Sequence, residues 1–236
     1  MKSEAIPYFD DRLELEGHLV YDESTPERRP AVLVCHAIRG QDEFARSKAE
    51  KIAQLGYVGF ATDVYGKGVT FENIEEARVI HDELEKDRMK MRRRIKAGLE
   101  AVRGHPMVDP SRVGAMGYCF GGMCALELAR SGADVLAVVS FHGQLDSPHV
   151  EDAENIECKV LALHGYEDPL TRDQIEGFQK EMNGAGVDWQ LHIYGGAFHS
   201  FTNPAANNRE RGLLYDPLAD HRSWRAMTHF FEEVFA

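Results

Sequence analysis

The chain has 236 residues, of which 43% are hydrophobic and 28% are charged, a composition typical of a folded protein with a substantial core. Acidic residues outnumber basic residues by 39 to 27, and the resulting formal charge of −12 disfavours nucleic acids and anionic membrane surfaces as partners. No apolar run approaches the roughly 20 residues of a membrane span, and the N-terminus lacks the apolar segment of a secretion signal, so we expect a cytoplasmic location.

Predicted strands and helices alternate along the chain. The first 25 residues are expected to add edge strands or a hairpin. Apolar runs without a polar face predict buried strands at "RPAVLVCH", "YVGFATDVYG", "SRVGAMGYC", "VLAVVSFHG" and "KVLALHG", and "WQLHIYGG" alternates like a further strand. Helices are predicted at "EFARSKAEKIAQLG", from about residue 74 to 103, at "GGMCALELARSG", at "TRDQIEGFQKEMNGAG" with Thr171 as N-cap, and at "DHRSWRAMTHFFEEVF". This order predicts an α/β fold: a single domain over residues 1–236, with a mostly parallel sheet covered by helices on both faces.

The predicted helical region from 74 to 103 combines an apolar stripe with a basic run. Apolar residues recur at helical spacing, and we expect them to face the core: Leu84, Met91, Ile95, Leu99 and Val102. The basic run "KDRMKMRRRIK" is interpreted as a solvated helix face. The alternative is that some of its arginines reach a substrate pocket.

The segment from Gly117 to Gly121, "GYCFG", has the form of the G-x-S-x-G nucleophile elbow with a cysteine at the nucleophile position. It follows a predicted strand and opens a predicted helix, which is the context that such an elbow requires. The N-terminus of that helix favours a thiolate, the reactive form of cysteine. The sequence therefore predicts that Cys119 is a nucleophile, although a small residue at a tight turn is the alternative.

A thiol nucleophile needs a histidine base and an acid that orients the base, and in this kind of fold they follow the nucleophile in the order acid, histidine. Asp168 follows the strand "KVLALHG", with Glu167 beside it as a rival acid, and His199 follows the strand "WQLHIYGG". Ligands of open α/β sheets bind at the carboxyl ends of the strands, where these residues would meet. The sequence therefore predicts a triad of Cys119, Asp168 and His199.

Backbone N–H groups near the elbow are expected to form an oxyanion hole. The first donor would be Phe120, the residue after the nucleophile, and the second would be Ala37 or Ile38 in the loop after "VLVCH". Three neighbouring side chains are expected to line the substrate pocket: His36, Tyr118 and Phe198.

The remaining cysteines and the strand-end histidines are interpreted as structural. Three cysteines form no C-x-x-C pair and are expected to be reduced and buried: Cys35, Cys124 and Cys158. Three histidines follow apolar strands and are expected to be held by hydrogen bonds: His36, His142 and His164. Their spacing matches no helical metal motif, so we expect neither a metal nor a cofactor.

Together these segments resemble the dienelactone hydrolase family. The likeness covers most of the chain and rests on "GYCFGG", "LGYVGFATDVYGKG", "SFHG", "LHGYEDP", "GGAFHSFTNP" and "YDPLADHRSWRAM". It implies the α/β-hydrolase fold and a Cys-Asp-His triad that acts on esters and lactones, at Cys119, Asp168 and His199.

The chain departs from that family's pattern in two places. Many relatives carry a glutamate directly after the histidine of the early strand loop, where this chain has Ala37. The family's namesake also binds a substrate carboxylate with an arginine shortly after the catalytic histidine, where this chain has Thr202 and Asn203. Candidates for an arginine that compensates for this difference are Arg78 and the arginines of the helix from 88 to 94.

These observations predict a hydrolase of activated carboxylic esters or lactones that forms an acyl-thioester intermediate, acts on a small-molecule substrate, and is a monomer or homodimer. One alternative is promiscuous cleavage of phosphotriesters by the same thiol. Two further alternatives are a thiol redox protein and a non-catalytic binding module on the same scaffold.

Overall fold

The computed structural model describes residues 1–24 and 26–236, and eight of its strands form one large sheet. In chain order the strands are β1 (Lys2–Asp10), β2 (Leu13–Tyr21), β3 (Arg29–Cys35), β4 (Val58–Thr62), β5 (Val108–Tyr118), β6 (Ala137–Phe141), β7 (Lys159–Gly165) and β8 (Trp189–Tyr194). Their order in the sheet is β1-β2-β4-β3-β5-β6-β7-β8. The hairpin of β1 and β2 is antiparallel and joins β4 antiparallel, whereas β3 to β8 run parallel. The predicted fold class and the N-terminal hairpin are confirmed; Thr25, the last residue of the predicted N-terminal segment, lies outside the described residues.

Helices cover both faces of this sheet. They are α1 (Glu43–Gln54), α2 (Ile74–Lys86), α3 (Arg88–Arg103), α4 (Phe120–Arg130), α5 (Ile175–Gly184) and α6 (Pro217–Phe235). The core is divided accordingly: α1 and α6 pack in one apolar cluster, and α2 to α5 pack in another. Within the described part of the chain, no helix is long and apolar enough to cross a lipid bilayer.

Side chains of the central strand β3 point alternately to the two faces of the sheet, which explains why the sheet needs a layer of helices on each face. Leu33 and Cys35 face the cluster of α2 to α5, and Val32 and Val34 face the cluster of α1 and α6. All four side chains are almost fully buried. A strand buried on both faces reads as a continuous apolar run, because successive side chains point in opposite directions.

The region from 74 to 103 is two helices rather than one. Asp87 leaves the helical conformation at φ −107° and ψ 76°, and its carboxylate accepts the Lys90 N–H at 2.9 Å, which caps α3. Aspartate is a good N-cap because its short side chain bonds the free N–H groups of the first turn. The apolar stripe predicted across both helices is buried as expected: Leu84, Met91, Ile95, Leu99 and Val102.

Two further predictions about helices are wrong in detail. Thr171 does not cap α5; its hydroxyl bonds His164 Nε2 at 3.1 Å, and a short 3-10 turn at Arg172–Gln174 precedes the helix. The basic run is not simply a solvated face, since three of its arginines are buried: Arg88, Arg92 and Arg94. Arg92 is held by Glu127 of α4 at 2.8 Å, and Arg94 donates to the Val64 carbonyl at 2.7 Å.

Candidate active site

Cys119 lies at the junction of β5 and α4, where the chain turns sharply. Its backbone has φ 56° and ψ −118°, a conformation that is costly for a residue with a side chain. Hydrogen bonds hold the turn: the Cys119 N–H donates to the Phe141 carbonyl at 3.0 Å, and the Gly122 N–H donates to the Cys119 carbonyl at 2.9 Å. The surrounding structure therefore imposes a strained backbone on the one residue predicted to be the nucleophile.

The flanking glycines are required by close backbone contacts. A Cβ atom on Gly117 would lie 2.0 Å from the Gly121 carbonyl oxygen, and one on Gly121 would lie 2.0 Å from the Cys35 carbonyl oxygen. Real Cβ atoms do not approach oxygen this closely, so β5, α4 and the end of β3 can meet only with glycine at both positions. The same contacts fix Cys119 at the carboxyl edge of the sheet.

Asp168 and His199 lie beside this turn and contact each other directly. The His199 Nδ1–H donates to Asp168 Oδ2 at 2.7 Å, and both side chains are buried. Asp168 follows β7, and its other oxygen, Oδ1, accepts the Leu170 N–H at 2.9 Å. Of the two adjacent acids it is therefore Asp168, and not the partly exposed Glu167, that faces the histidine.

The loop that carries His199 is fastened by a short hairpin that the sequence did not reveal. The strands β9 (Asn207–Asn208) and β10 (Leu213–Leu214) pair antiparallel, and the Leu214 N–H donates to the His199 carbonyl at 3.1 Å. Each strand has only two residues, which is too short for a periodic pattern. The segment "NNRERG" between the apolar segments is rich in turn-forming residues, and it was the feature of the sequence that could have indicated this hairpin.

Electrostatic coupling joins His199 to the thiol. Burial alone would raise the pKa of Cys119, but the nearby positive charge of His199, with the Phe120 N–H, brings it below the ordinary value. Burial would lower the pKa of His199, yet the thiolate and the Asp168 carboxylate raise it to about 10. Since Nδ1 is bound to Asp168, Nε2 is the ring nitrogen that faces the sulfur. Both shifts favour the pair of a thiolate and an imidazolium.

His142, which follows β6, packs against the side of the His199 ring. Its ring lies edge-on to His199 with the centroids 5.0 Å apart, and its Nε2 hydrogen-bonds the Thr202 hydroxyl at 2.8 Å. Burial lowers the pKa of His142 well below its ordinary value, so the ring stays neutral beside the imidazolium. The sequence did not indicate this contact, because 60 residues separate His142 from Thr202.

The other strand-end histidines are also held by hydrogen bonds, as expected. His36 bonds the Ala37 carbonyl through Nδ1 at 2.7 Å, and its Nε2 accepts the Val64 N–H at 3.3 Å. His164 bonds Thr171. His36 is only 1% exposed, as is Tyr118, which stacks on Phe141. Both side chains are almost fully buried, and their place in the substrate pocket stays a prediction.

Phe198 is a further candidate pocket side chain. It is half-buried, and the guanidinium of Arg209, in the turn between β9 and β10, lies 5.0 Å from its ring centroid. Arg209 is exposed and was not among the arginines considered from the sequence. Arg78 is exposed and paired with Glu75 on α2.

Three backbone N–H groups are expected to serve as oxyanion-hole donors: those of Phe120, Ala37 and Ile38. The Phe120 N–H interacts with Cys119. In the loop after β3, the Ala37 carbonyl accepts the Gly40 N–H and the Ile38 carbonyl accepts the Tyr65 hydroxyl. Neither the Ala37 nor the Ile38 N–H donates to another group within residues 1–24 and 26–236, and both residues are partly exposed. These two N–H groups are therefore available to a ligand.

The remaining thiols are buried in the core. Burial raises the pKa of Cys124 well above its ordinary value, and it raises the pKa of Cys35 and of Cys158 to about 12. Such groups are poor nucleophiles. On α2, ligand atoms of three side chains lie within 4.8 Å of one another and could hold a metal ion: His81, Asp82 and Glu85.

A parallel sheet with a cysteine elbow and an Asp–His pair at its carboxyl edge defines an α/β-hydrolase. The sequence model of the dienelactone hydrolase family matches residues 15–235, so the chain belongs to that family and is a carboxylic ester hydrolase.

The solved structure named m3DLH is 41% identical over 100% of this chain and 99% of its own, with a TM-score of 0.94. A dienelactone hydrolase-like promiscuous phosphotriesterase from metagenomic libraries is 37% identical over the same shares, with a TM-score of 0.93. A protein of Aquifex aeolicus with a provisional assignment as carboxymethylenebutenolidase is 29% identical over 86% of this chain and 87% of its own.

Proposed function

We propose that this hydrolase cleaves activated carboxylic esters or lactones with Cys119 as nucleophile, through an acyl-thioester intermediate. The observation that carries the proposal is the buried contact from Asp168 to His199 Nδ1 at 2.7 Å. The other ring nitrogen, Nε2, has no hydrogen-bond partner among the described residues, and His199 lies near enough to Cys119 for its charge to lower the pKa of the thiol. A nucleophile, a base and an orienting acid in this relation are the components of triad catalysis.

In the first half of the reaction, the sulfur attacks the carbonyl carbon and the thiol proton resides on His199 Nε2. The tetrahedral intermediate collapses, the carbon–oxygen bond to the leaving group breaks, and that oxygen takes the proton from Nε2. Asp168 keeps the imidazole in the tautomer that these transfers require. The product from an ester is an acyl-thioester on Cys119 and a free alcohol or phenol, whereas a lactone gives a single thioester whose acyl group carries the new hydroxyl.

In the second half, water gives a proton to His199 Nε2 as its oxygen attacks the thioester. The carbon–sulfur bond breaks, which releases the carboxylic acid and restores the thiolate and imidazolium. In both halves, the negative carbonyl oxygen would be stabilised by the N–H of Phe120 and by that of Ala37 or Ile38. Removal of one such donor in other enzymes costs about 3–4 kcal/mol.

Phosphotriester cleavage is a second candidate activity of the same thiol. It is favoured by the 37% identical relative that is described as a promiscuous phosphotriesterase and that covers the whole chain. Sulfur would attack phosphorus, an aryl oxide would leave, and water would then cleave the phosphorus–sulfur bond. Incubation with paraoxon should give a phosphoryl adduct on Cys119 together with turnover. Neither adduct nor turnover would remove this activity while leaving the esterase proposal intact.

The esterase proposal is tested with p-nitrophenyl butyrate, the wild type and Cys119→Ala, followed by mass spectrometry of acid-quenched samples. We expect a butyryl adduct on Cys119 in the wild type and loss of turnover in the variant. Cys158→Ala is the matched control, since it removes a buried thiol far along the chain from the elbow, and it should keep full activity. Unchanged activity in Cys119→Ala without any adduct would refute the mechanism and reopen the non-catalytic alternative.

A thiol redox role is not supported by the positions of the cysteines. Cys124, five residues after Cys119, is fully buried and its pKa is well above the ordinary value. A disulfide needs a second thiol that can reach the first as a thiolate. Ester hydrolysis, by contrast, needs one reactive thiol, and Cys119 is the only cysteine that is partly exposed within the described residues.

A further inference from the structure

A cleft with a volume of about 390 Å³ opens between α1 and the start of α6. Pockets for small molecules begin at about this size. Its lining includes Lys48 and Lys51 from α1 and, from the chain around the start of α6, Tyr215, Asp220, His221 and Trp224. The cleft is therefore built from residues outside the triad and its three loops.

Lys48 is the unusual member of this lining, because lysine is almost never buried without a partner. It is only 4% exposed, and within the described residues it makes no hydrogen bond and no ion pair. Its ammonium instead lies over three aromatic rings, 4.8 Å from the centroid of Phe44, 5.0 Å from that of Tyr118 and 5.8 Å from that of Trp224. Cation–π contacts offset only part of the cost of removing an ammonium from water.

Tyr118 adds a second unpaired polar group at this place. Its hydroxyl is fully buried and has no hydrogen-bond partner among the residues that the structure describes. Its ring lies beneath Lys48. Buried hydroxyl groups are nearly always hydrogen-bonded, so the hydrogen bonding of this region is incomplete among the described residues.

The charge of the cleft is opposite to that of the whole chain. Lys51 lies one helical turn after Lys48, and its ammonium is also 5.8 Å from the Trp224 ring centroid. Asp220 is the carboxylate of the lining, and it accepts a hydrogen bond from the Tyr215 hydroxyl at 3.3 Å. Two ammonium groups against one carboxylate leave the cleft positive on a protein of net charge −12. A small anion is the ligand that would neutralise the excess positive charge of the cleft.

We propose that this cleft binds a small aromatic carboxylate, with the carboxylate between Lys48 and Lys51 and the ring against Trp224. An anion bound by the two ammonium groups would lie beside the flat apolar surface of the Trp224 indole. An aromatic acid can contact both the ammonium groups and the indole, whereas a compact inorganic anion can contact only the ammonium groups. The site is independent of the ester hydrolysis proposed above, because it uses none of the residues of that mechanism.

Benzoate is the probe, and Trp224 is the reporter. The chain has two tryptophans, so Trp189→Phe leaves Trp224 as the only one. We expect benzoate to change Trp224 fluorescence saturably and to give a matching heat in calorimetry. Lys48→Met, which keeps the length and apolar packing of the side chain, should weaken binding at least tenfold. Lys180→Met, at an exposed lysine paired with Glu176, should leave binding unchanged.

The pH dependence has a defined sign. Burial lowers the pKa of Lys48 to about 8, and a carboxylate binds the protonated amine. Benzoate affinity should therefore be highest below pH 8 and should fall by up to tenfold per pH unit above it. Lys51, Asp220, His221 and Tyr215 also face the cleft, and repeating the titration in His221→Asn shows whether the histidine contributes.

Three comparisons test whether the charge of Lys48 and the aromatic ring of the ligand determine binding. Benzamide, which has the same shape without the charge, should bind at least tenfold more weakly than benzoate. Equal binding of benzoate to the wild type and to a folded Lys48→Met variant would overturn the proposal, as would the absence of any saturable signal. Inorganic phosphate that competes as strongly as benzoate would overturn the assignment to an aromatic acid. Thermal melts of each variant verify that it is folded.

Discussion

Replacement of Asp168 by asparagine tests the central contact of the site. In the wild type, Oδ2 accepts the His199 Nδ1–H at 2.7 Å, and Oδ1 accepts the Leu170 N–H at 2.9 Å. An asparagine that keeps its oxygen on Leu170 presents its NH₂ group to His199 Nδ1, which must then be the unprotonated nitrogen. The ring proton moves to Nε2, and the imidazole can no longer accept the proton of Cys119. The opposite amide orientation would set two buried donors against each other at Leu170.

The expected loss is large because the site offers no alternative acceptor for the ring. We expect kcat to fall by about 10⁴, the effect of the same tautomer error in a Ser-His-Asp triad, which corresponds to about 5.4 kcal/mol of activation free energy. Loss of the carboxylate also lowers the pKa of His199, since hydrogen bonding and charge from Asp168 help to raise it. Less thiolate would then be present at neutral pH.

The assay is hydrolysis of p-nitrophenyl butyrate by purified Asp168→Asn, with circular dichroism to verify the fold. Glu167→Gln is the matched control, because it removes the same charge one residue earlier from a side chain that does not face His199. Its kcat should stay within about twofold of the wild type, since the charge of this partly exposed side chain is screened by water and salt. If Asp168→Asn retained more than a tenth of the wild-type kcat, the proposed role of Asp168 would be refuted.

Three other measurements test the site and its support. The rate of Cys119 alkylation by iodoacetamide should rise with pH, and the midpoint of that rise should lie below the ordinary thiol pKa of 9.0, because His199 stabilises the thiolate. In His199→Asn the midpoint should move above 9.0, since the burial that raises the thiol pKa remains. Glu127→Ala should lower the free energy of unfolding, measured in urea, by about 3–5 kcal/mol, because the buried Arg92 and Arg130 lose the carboxylate that they share. The control Glu100→Ala, which removes an exposed carboxylate, should change it by less than about 1 kcal/mol. Gly177→Ala should raise the melting temperature by stabilising α5 by up to about 1 kcal/mol, since no atom lies within 4 Å of the added Cβ; a lower melting temperature would contradict this.

The elements with a strong local pattern could be predicted from the sequence. The strands buried on both faces appear as apolar runs, and the apolar stripe of α2 and α3 recurs at helical spacing. The elbow was recognisable because close backbone contacts demand glycine at Gly117 and Gly121. The positions of Asp168 and His199 followed from the placement of ligands at the carboxyl ends of strands.

Contacts between distant parts of the chain could not be predicted in this way. The basic run looked solvated because its partners are not local: Arg92 bonds Glu127, which is 35 residues away, and Asp152, which is 60 residues away. An arginine can be buried only where the fold brings a carboxylate next to it, and the periodicity of apolar residues in the sequence does not show whether it does. The same holds for Thr171, whose hydroxyl bonds His164 rather than the backbone of its own helix.

The site contains several buried histidines, and their surroundings explain why only one of them is suited to carry charge. Burial is the largest influence on all of them, and it lowers the pKa of each in the absence of a compensating anion: His36, His142 and His164. His199 is as deeply buried, yet its pKa is raised, because it lies between the Cys119 thiolate and the Asp168 carboxylate. Neutral neighbours matter here, since a second imidazolium beside His199 would lower its pKa and weaken its hold on the thiolate proton. The neutral histidines hydrogen-bond groups of the loops at the carboxyl edge and leave the positive charge on His199, beside the thiol.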